Sequence, residues 1–221
     1  MERILGKAIR KVRIYFFFAI DLYYDMRICG RSLSKYIPSV YRDDKNGIGM
    51  TGSQSTYYGV LKKIFKNVEI KKEDSFLDIG CGMGRVLAFC LKERYTCSIN
   101  GIEINEIPGK IAKSWIQRYN NVNVIIGDAF KLNFDQYSIF FLGRPFLPKT
   151  FAQFVNLFES QITHPITLIY WVDQQSGFYL MDRTGWKLKK RECIRKVYGV
   201  KIPAGIQGYS IWEYKPEKEV A

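Results

Sequence analysis

Histidine is almost missing from this chain: 221 residues contain one, His164. Cysteine is sparse and poorly spaced for metal chemistry. Cys29, Cys81, Cys90, Cys97 and Cys193 are odd in number and include no Cys-x-x-Cys pair. This argues against a structural zinc site and a disulfide framework. A reducing, cytoplasmic setting without a resident metal is the expectation. Long apolar runs are missing too. The longest near the N-terminus, Ile14–Ile20, is seven residues, against the roughly 20 that span a bilayer. It follows a basic stretch, as a signal peptide's apolar region does. Asp21 and Asp25 come next, with no small-residue cleavage site, so secretion is not expected. The scarcer charge is acid: 21 Asp plus Glu stand against 34 Lys plus Arg, a net +13.

What is present is enough for one ordinary domain with a short extension. Hydrophobic residues are 47% and aromatics 15%, which supplies a core and excludes a disordered chain. The surplus charge sits at the ends. Residues 1–75 hold 15 basic and 8 acidic groups, residues 76–180 hold 9 and 8, and residues 181–221 hold 10 and 5. Such ends favour an acidic partner: nucleic acid, an anionic membrane face or a phosphorylated substrate.

Residues 1–29 read as a helix stopped by Gly30. Ile4, Leu5, Ala8, Ile9, Val12 and Phe16 recur at three- and four-residue steps, and Arg3, Lys7, Arg10, Lys11 and Arg13 fall opposite. Two roles are open to this helix. Its apolar face packs on the domain, or residues 1–20 lie on an anionic membrane, placing the protein at the membrane's inner face. Residues 42–56 are polar and glycine-rich, a loop. The expected organisation is an arm over 1–50 and a domain over 51–221.

From Tyr57 the pattern alternates. Helices are expected at 57–65, 85–94, 107–119 and 149–161. Strands are expected at 75–79, 98–104, 122–126, 137–142 and 166–172, and again at 186–198 and 209–214, joined by a loop over 199–208. This predicts an α/β fold: a mostly parallel sheet with helices on both faces and an antiparallel ending.

The most specific segment is Phe76-Leu77-Asp78-Ile79-Gly80-Cys81-Gly82-Met83-Gly84-Arg85. Three glycines between an apolar strand and a helix allow a sharp turn and close approach of a ligand to the backbone. Glu103 ends the second strand, where a carboxylate can accept both hydroxyls of a ribose. Gly127-Asp128-Ala129-Phe130 follows the third strand, in reach of an adenine amino group. Phe140-Phe141-Leu142-Gly143-Arg144-Pro145-Phe146 closes the fourth.

Together these four segments resemble the class I, seven-stranded, Rossmann-like S-adenosylmethionine-dependent methyltransferases, over roughly Tyr57 to Tyr214. Within them the look is nearest to the non-SET histone-lysine methyltransferases and their bacterial relatives. Ser55-Thr56-Tyr57, Phe76–Leu87, Gly101–Lys110 and Gly127–Phe130 carry that likeness. The resemblance implies a three-layer fold and S-adenosyl-L-methionine as cofactor. It implies that Asp78, Gly80, Gly82 and Gly84 approach its methionine and ribose parts, that Glu103 holds the ribose, and that Asp128 with Ala129 or Phe130 holds the adenine. The loop Thr51–Tyr57, Thr56 included, would close over the methionine end.

The sequence departs from that family after the fourth strand. Those relatives carry an Asn there whose amide orients the target nitrogen, and here stands Arg144. A guanidinium has no acceptor and repels a lysine ammonium. It suits a carboxylate, phosphate or sugar-acid acceptor instead. Tyr57, Tyr58, Tyr170 and Asp173 are further pocket candidates; with Arg144, Tyr57 and Asp173 form the expected catalytic set. His164, before Pro165, fits a surface position better than a base. Three functions follow: a methyltransferase for an anionic small-molecule, glycan or lipid-linked acceptor, a protein-lysine or nucleic-acid methyltransferase, or a non-catalytic cofactor-binding scaffold.

Overall fold

A computed structural model describes residues 2–173 and 177–217, with side chains from residue 8 onward. The expectations for Arg3, Ile4, Leu5 and Lys7 lie outside the described side chains. Seven strands form one sheet: β1 Ser75–Ile79, β2 Ser98–Glu103, β3 Val122–Ile126, β4 Ile139–Leu142, β5 Ile166–Trp171, β6 Trp186–Ile194 and β7 Gln207–Tyr214. Their order across the sheet is β3-β2-β1-β4-β5-β7-β6. The pairs from β3 through β5 are parallel, and β7 runs antiparallel to both β5 and β6.

Five helices flank it: α1 Glu2–Cys29, α2 Tyr58–Phe65, α3 Arg85–Lys92, α4 Glu106–Ile116 and α5 Pro148–Gln161. Residues of β4 are buried on both faces and alternate between them. Ile139 and Phe141 pack with α2, α3 and α4, whereas Phe140 and Leu142 pack with α5. A continuous apolar run is what a strand covered on both faces requires. The fold is thus the three-layer, Rossmann-like α/β architecture with an N-terminal helical extension. Local chemistry sets the helix starts. Asn105 Oδ1 accepts the N–H of Ile107 to cap α4, and Pro148 opens α5.

Two expectations need correcting. The strand expected over 186–198 ends at Ile194, and a two-residue ribbon, Lys196–Val197 against Val200–Lys201, follows. Tyr198 and Gly199 both have positive φ, 52° and 75°, and this tight turn folds the chain back on itself. The second is the alternative in which the apolar face of α1 packs on the domain. Ile9, Val12 and Phe16, half of the expected apolar face, are exposed. The helix is held through another face, where Phe17, Asp21, Asp25 and Ile28 are buried.

Candidate active site

β1 leads left to β2 and β3, and the chain then crosses to β4 on the right. That reversal opens a crevice at the carboxyl ends of β1 and β4, where open α/β sheets bind ligands. The cleft is walled by Asp78, Gly80, Gly82, Glu103, Asp128 and Ala129. Gly80 has φ +74°, and a Cβ there would stand 2.7 Å from the Cβ of Pro145. Gly82 has φ +56° and lies under the Ser53 hydroxyl. Both need glycine for conformation and for space.

Residues 50–56 cover the cleft as a strap. Ser53 and Ile37 exchange backbone hydrogen bonds, and the Thr51 N–H donates to Pro145 O at 2.9 Å. Thr51 Oγ1 donates to Arg144 O at 2.8 Å.

Glu103 accepts the Gly82 N–H at 2.8 Å on Oε2 and the Asn105 N–H at 2.8 Å on Oε1. Burial raises its pKa, while those two N–H groups pull it back. Each oxygen retains acceptor capacity for a ligand hydroxyl. Asp78 is buried, and its Oδ2 has no hydrogen-bond partner. Burial, then the neighbouring Glu103 charge, pushes its pKa far above the ordinary carboxylate range. Two buried acids in one cleft call for a ligand that brings positive charge and hydroxyl donors.

A second cavity, about 370 Å³, adjoins the first across the strap and Gly143. Tyr36, Arg42, Tyr57, Arg144, Trp171 and Gln207 line it. Among its described lining residues there is no carboxylate and no histidine. Arg144 and Val172, both on its wall, have φ of 52° and 59°. Strained non-glycine backbone of this kind tends to gather at functional sites.

The structure distributes the expected residues as follows. Asp78, Gly80, Gly82, Glu103, Asp128 and Ala129 meet in the cleft, Thr56 borders both cavities, and Tyr57 and Arg144 belong to the second. Gly84 and Phe130 are outside both linings. A Cβ on Gly84 would stand 2.8 Å from the Trp115 ring, and its φ is +89°, so glycine is required there by packing and by backbone conformation. Phe130 turns to Phe146, with ring centroids 5.8 Å apart. Asp173 also lines neither cavity; it is buried and paired with Arg191 at 2.9 Å. His164 precedes β5 at the strand's amino end, away from the cleft, against Asp135 O. Tyr58 is buried under α1, and Tyr170 is stacked on Phe151.

Sequence reasoning missed Arg85. As the first residue of α3 it borders the cleft and is clasped by α1. Its Nη1 meets Asp21 Oδ2 at 2.8 Å and its Nη2 meets Asp25 Oδ2 at 2.6 Å, all three side chains being buried. Asp25 also accepts the Leu33 N–H, and Asp21 the Tyr58 N–H. The signal was available: two acids four apart, at the end of an apolar run, lie on one helix face.

Two carboxylates share one cation, and burial raises the Asp21 pKa to about 6, against the pull of Arg85. A folded-state pKa above the unfolded one adds stability that is full below about pH 4 and lost as pH rises through 6. Wild type should therefore gain on Asp21→Asn by about 2 kcal/mol more at pH 4.5 than at pH 7.5. Paired urea titrations check this, and an equal gap at the two pH values would contradict it.

Comparison with known proteins agrees with this geometry. Residues 52–141 match the family described as "Histone methylation protein DOT1". The ribosomal RNA small subunit methyltransferase A of Syntrophus aciditrophicus (strain SB) is 32% identical over 77 residues, 35% of this chain. Its counterpart from Clostridium botulinum (strain Okra / Type B1) is 36% identical over 80 residues, also 35% of this chain. The chain spans only 27% of the length of each of these curated relatives. A methyltransferase from Pyrococcus furiosus superposes with a TM-score of 0.59 at 13% identity, covering 94% of this chain and 98% of that one. A Salinibacter ruber RNA methyltransferase in complex with S-adenosyl-L-homocysteine superposes at 0.55 and 16%, covering 76% and 97%. The chain has the class I, Rossmann-like fold of S-adenosylmethionine-dependent methyltransferases.

Proposed function

We propose that this chain binds S-adenosyl-L-methionine in the β1–β4 cleft and transfers its methyl group to an anionic acceptor in the adjoining cavity. The observation that carries the reading is the pair of buried acids, Asp78 and Glu103, beside the glycine turn. The residues fit the cofactor. Glu103 would accept from the ribose hydroxyls. Asp128, whose Oδ1 already holds the Phe130 N–H, would with Ala129 bound the adenine. Asp78 would ionise against the positive charge of the methionine end. When bound, the cofactor supplies an electrophilic methyl group on a sulfonium. The strap over residues 50–56 excludes water from that end, and Thr56 faces both partners' cavities.

The acceptor cavity lacks a base among its described residues. Burial raises the Tyr57 phenol pKa, so this hydroxyl donates rather than abstracts. The acceptor must therefore bring its own lone pair. A carboxylate or phosphate oxygen does so without losing a proton, and Arg144 lines the cavity to clamp it, next to Arg42, whose Nε is held by Asp44 at 2.8 Å. Positioning supplies most of the remaining rate. Small molecules, glycans and lipid-linked acids fit this description.

A second reading is an RNA base nitrogen stacked on Tyr36, Tyr57 or Trp171. The relatives named as ribosomal RNA methyltransferases favour it, as does the net charge of +13.

Methyl-labelled cofactor incubated with the chain and a fractionated lysate separates these readings. Label is expected in the small-molecule or lipid extract. Label in RNA would establish the second reading, and label in protein would return the lysine acceptor. Cofactor binding with no transfer to any fraction would leave a scaffold.

Asp78 gives a further prediction. Burial and the Glu103 charge raise its pKa in the free cleft and a cationic ligand pulls it back down, so binding is expected to release protons and to tighten as pH rises. Calorimetry in two buffers of different ionisation enthalpy should show this release in wild type and lose it in Asp78→Asn. Equal proton release by both would contradict the assignment.

A further inference from the structure

We propose that the outward face of α1, backed by a basic groove on the helix's domain side, is a docking surface for an anionic lipid bilayer. α1 meets the domain through Phe17, Asp21, Asp25 and Ile28. The side turned away carries Val12, Phe16, Tyr23 and Met26 at helical spacing, a stripe about 21 Å long, all four exposed. Ile9 and Tyr15 flank it, and Val12 and Tyr15 each keep 68% of their surface in solvent. An apolar stripe of this length facing water is unusual for a soluble surface.

The groove lies on the domain side of α1, between the helix's N-terminal half and the ribbon after β6, with Arg13 at the flank of the stripe and Arg10 behind it. It has a volume of about 570 Å³ and is lined by Arg10, Arg13, Arg195, Lys196 and Lys201. No acidic residue lines it among the described ones. Ile202 belongs both to this groove and to the acceptor cavity. An anionic headgroup held there sits next to the site where the acceptor is clamped.

Charge and apolarity together select the occupant. RNA would satisfy the five cations but leave Val12 and Met26, with flanking Ile9, in water. A second copy of the chain would cover the stripe but bring its own cations toward these. A bilayer with acidic headgroups takes the stripe into its acyl boundary and the cations into its headgroup layer. No described helix is long and apolar enough to cross a membrane, so the contact is peripheral. It stands independently of methyl transfer, since docking needs neither cofactor nor acceptor.

The test is sedimentation of the full chain with vesicles of phosphatidylcholine alone or with phosphatidylglycerol added. Wild type should sediment with the anionic vesicles and stay in solution with the neutral ones. The double variant Val12→Glu, Phe16→Glu should bind about tenfold or more weakly. Lys196→Glu should lose about fivefold and leave a smaller salt dependence. All substitutions are at the surface, and unchanged thermal melts confirm folding. Failure of wild type to sediment, or equal sedimentation of the double variant, overturns the proposal. So does a wild-type dimer in solution that the double variant dissolves, which makes a second copy the occupant. Displacement of the chain from vesicles by duplex RNA, with RNA binding lost in the double variant, assigns the face to RNA instead.

Discussion

Arg85→Met should lower the unfolding free energy by about 3–5 kcal/mol, the usual result of removing one partner from a buried ion pair. The reason is geometric. The guanidinium is 3% exposed and sits between Asp21 and Asp25, which are equally buried. Methionine leaves both carboxylates in a dry site without their cation. They can then only take up protons or pull away, and α1 is carried with them because both lie on it. Ser34, which also accepts from Arg85, would lose its partner. Urea denaturation of the variant checks the magnitude. A loss below 1 kcal/mol, the size of an exposed pair, would show that the clasp is not what holds α1. The triple replacement of Arg85, Asp21 and Asp25 by apolar residues should recover part of the loss, the orphaned charge, and leave the cost of the Tyr58 and Leu33 N–H groups that lose their acceptors.

Glu103→Ala should weaken S-adenosylmethionine binding by about 10- to 150-fold, or 1.5–3 kcal/mol, the worth of hydrogen bonds to a charged group. Two effects act together. The ribose loses its acceptor, and the Gly82 and Asn105 N–H groups, each 2.8 Å from a Glu103 oxygen, lose theirs. Gly82 belongs to the cleft wall, so the turn itself loosens. Glu103→Gln separates these contributions. It keeps the shape and one acceptor, and should lie between wild type and alanine. Isothermal titration reads all three, and equal affinities would remove Glu103 from the ligand site.

Much of the fold was legible because it rests on local signals. β3 was read at its observed bounds, since Val122–Ile126 is an apolar run between turn signals. The helices were read within a few residues, and the class of sheet followed from alternation. Cleft residues were legible for a related reason: Gly80, Gly82, Glu103 and Asp128 all follow strand ends, which periodicity locates. What the sequence concealed was long-range. Nothing local says that Asp21 reaches Arg85, 64 positions away, or that Ser53 covers Gly82. Gly84 looked like a third ligand glycine, but the Trp115 ring that fills the space beside it comes from α4. Asp173 had the right strand end and the wrong neighbour, because Arg191 on β6 captures it. Of the two roles open to the apolar side of α1, packing on the domain fails for one physical reason. Hydrophobic periodicity marks an apolar face but does not say what covers it, and here two buried acids docked the helix through a different side.

The most direct test of the central claim is where S-adenosylmethionine sits. Ultraviolet cross-linking of methyl-labelled cofactor to the purified chain, followed by peptide mapping, answers it. Label on peptides from residues 76–105 or 122–130, competed away by S-adenosylhomocysteine, is the result expected of a ligand in the β1–β4 cleft. Label confined to other peptides, or undiminished by the competitor, would contradict it.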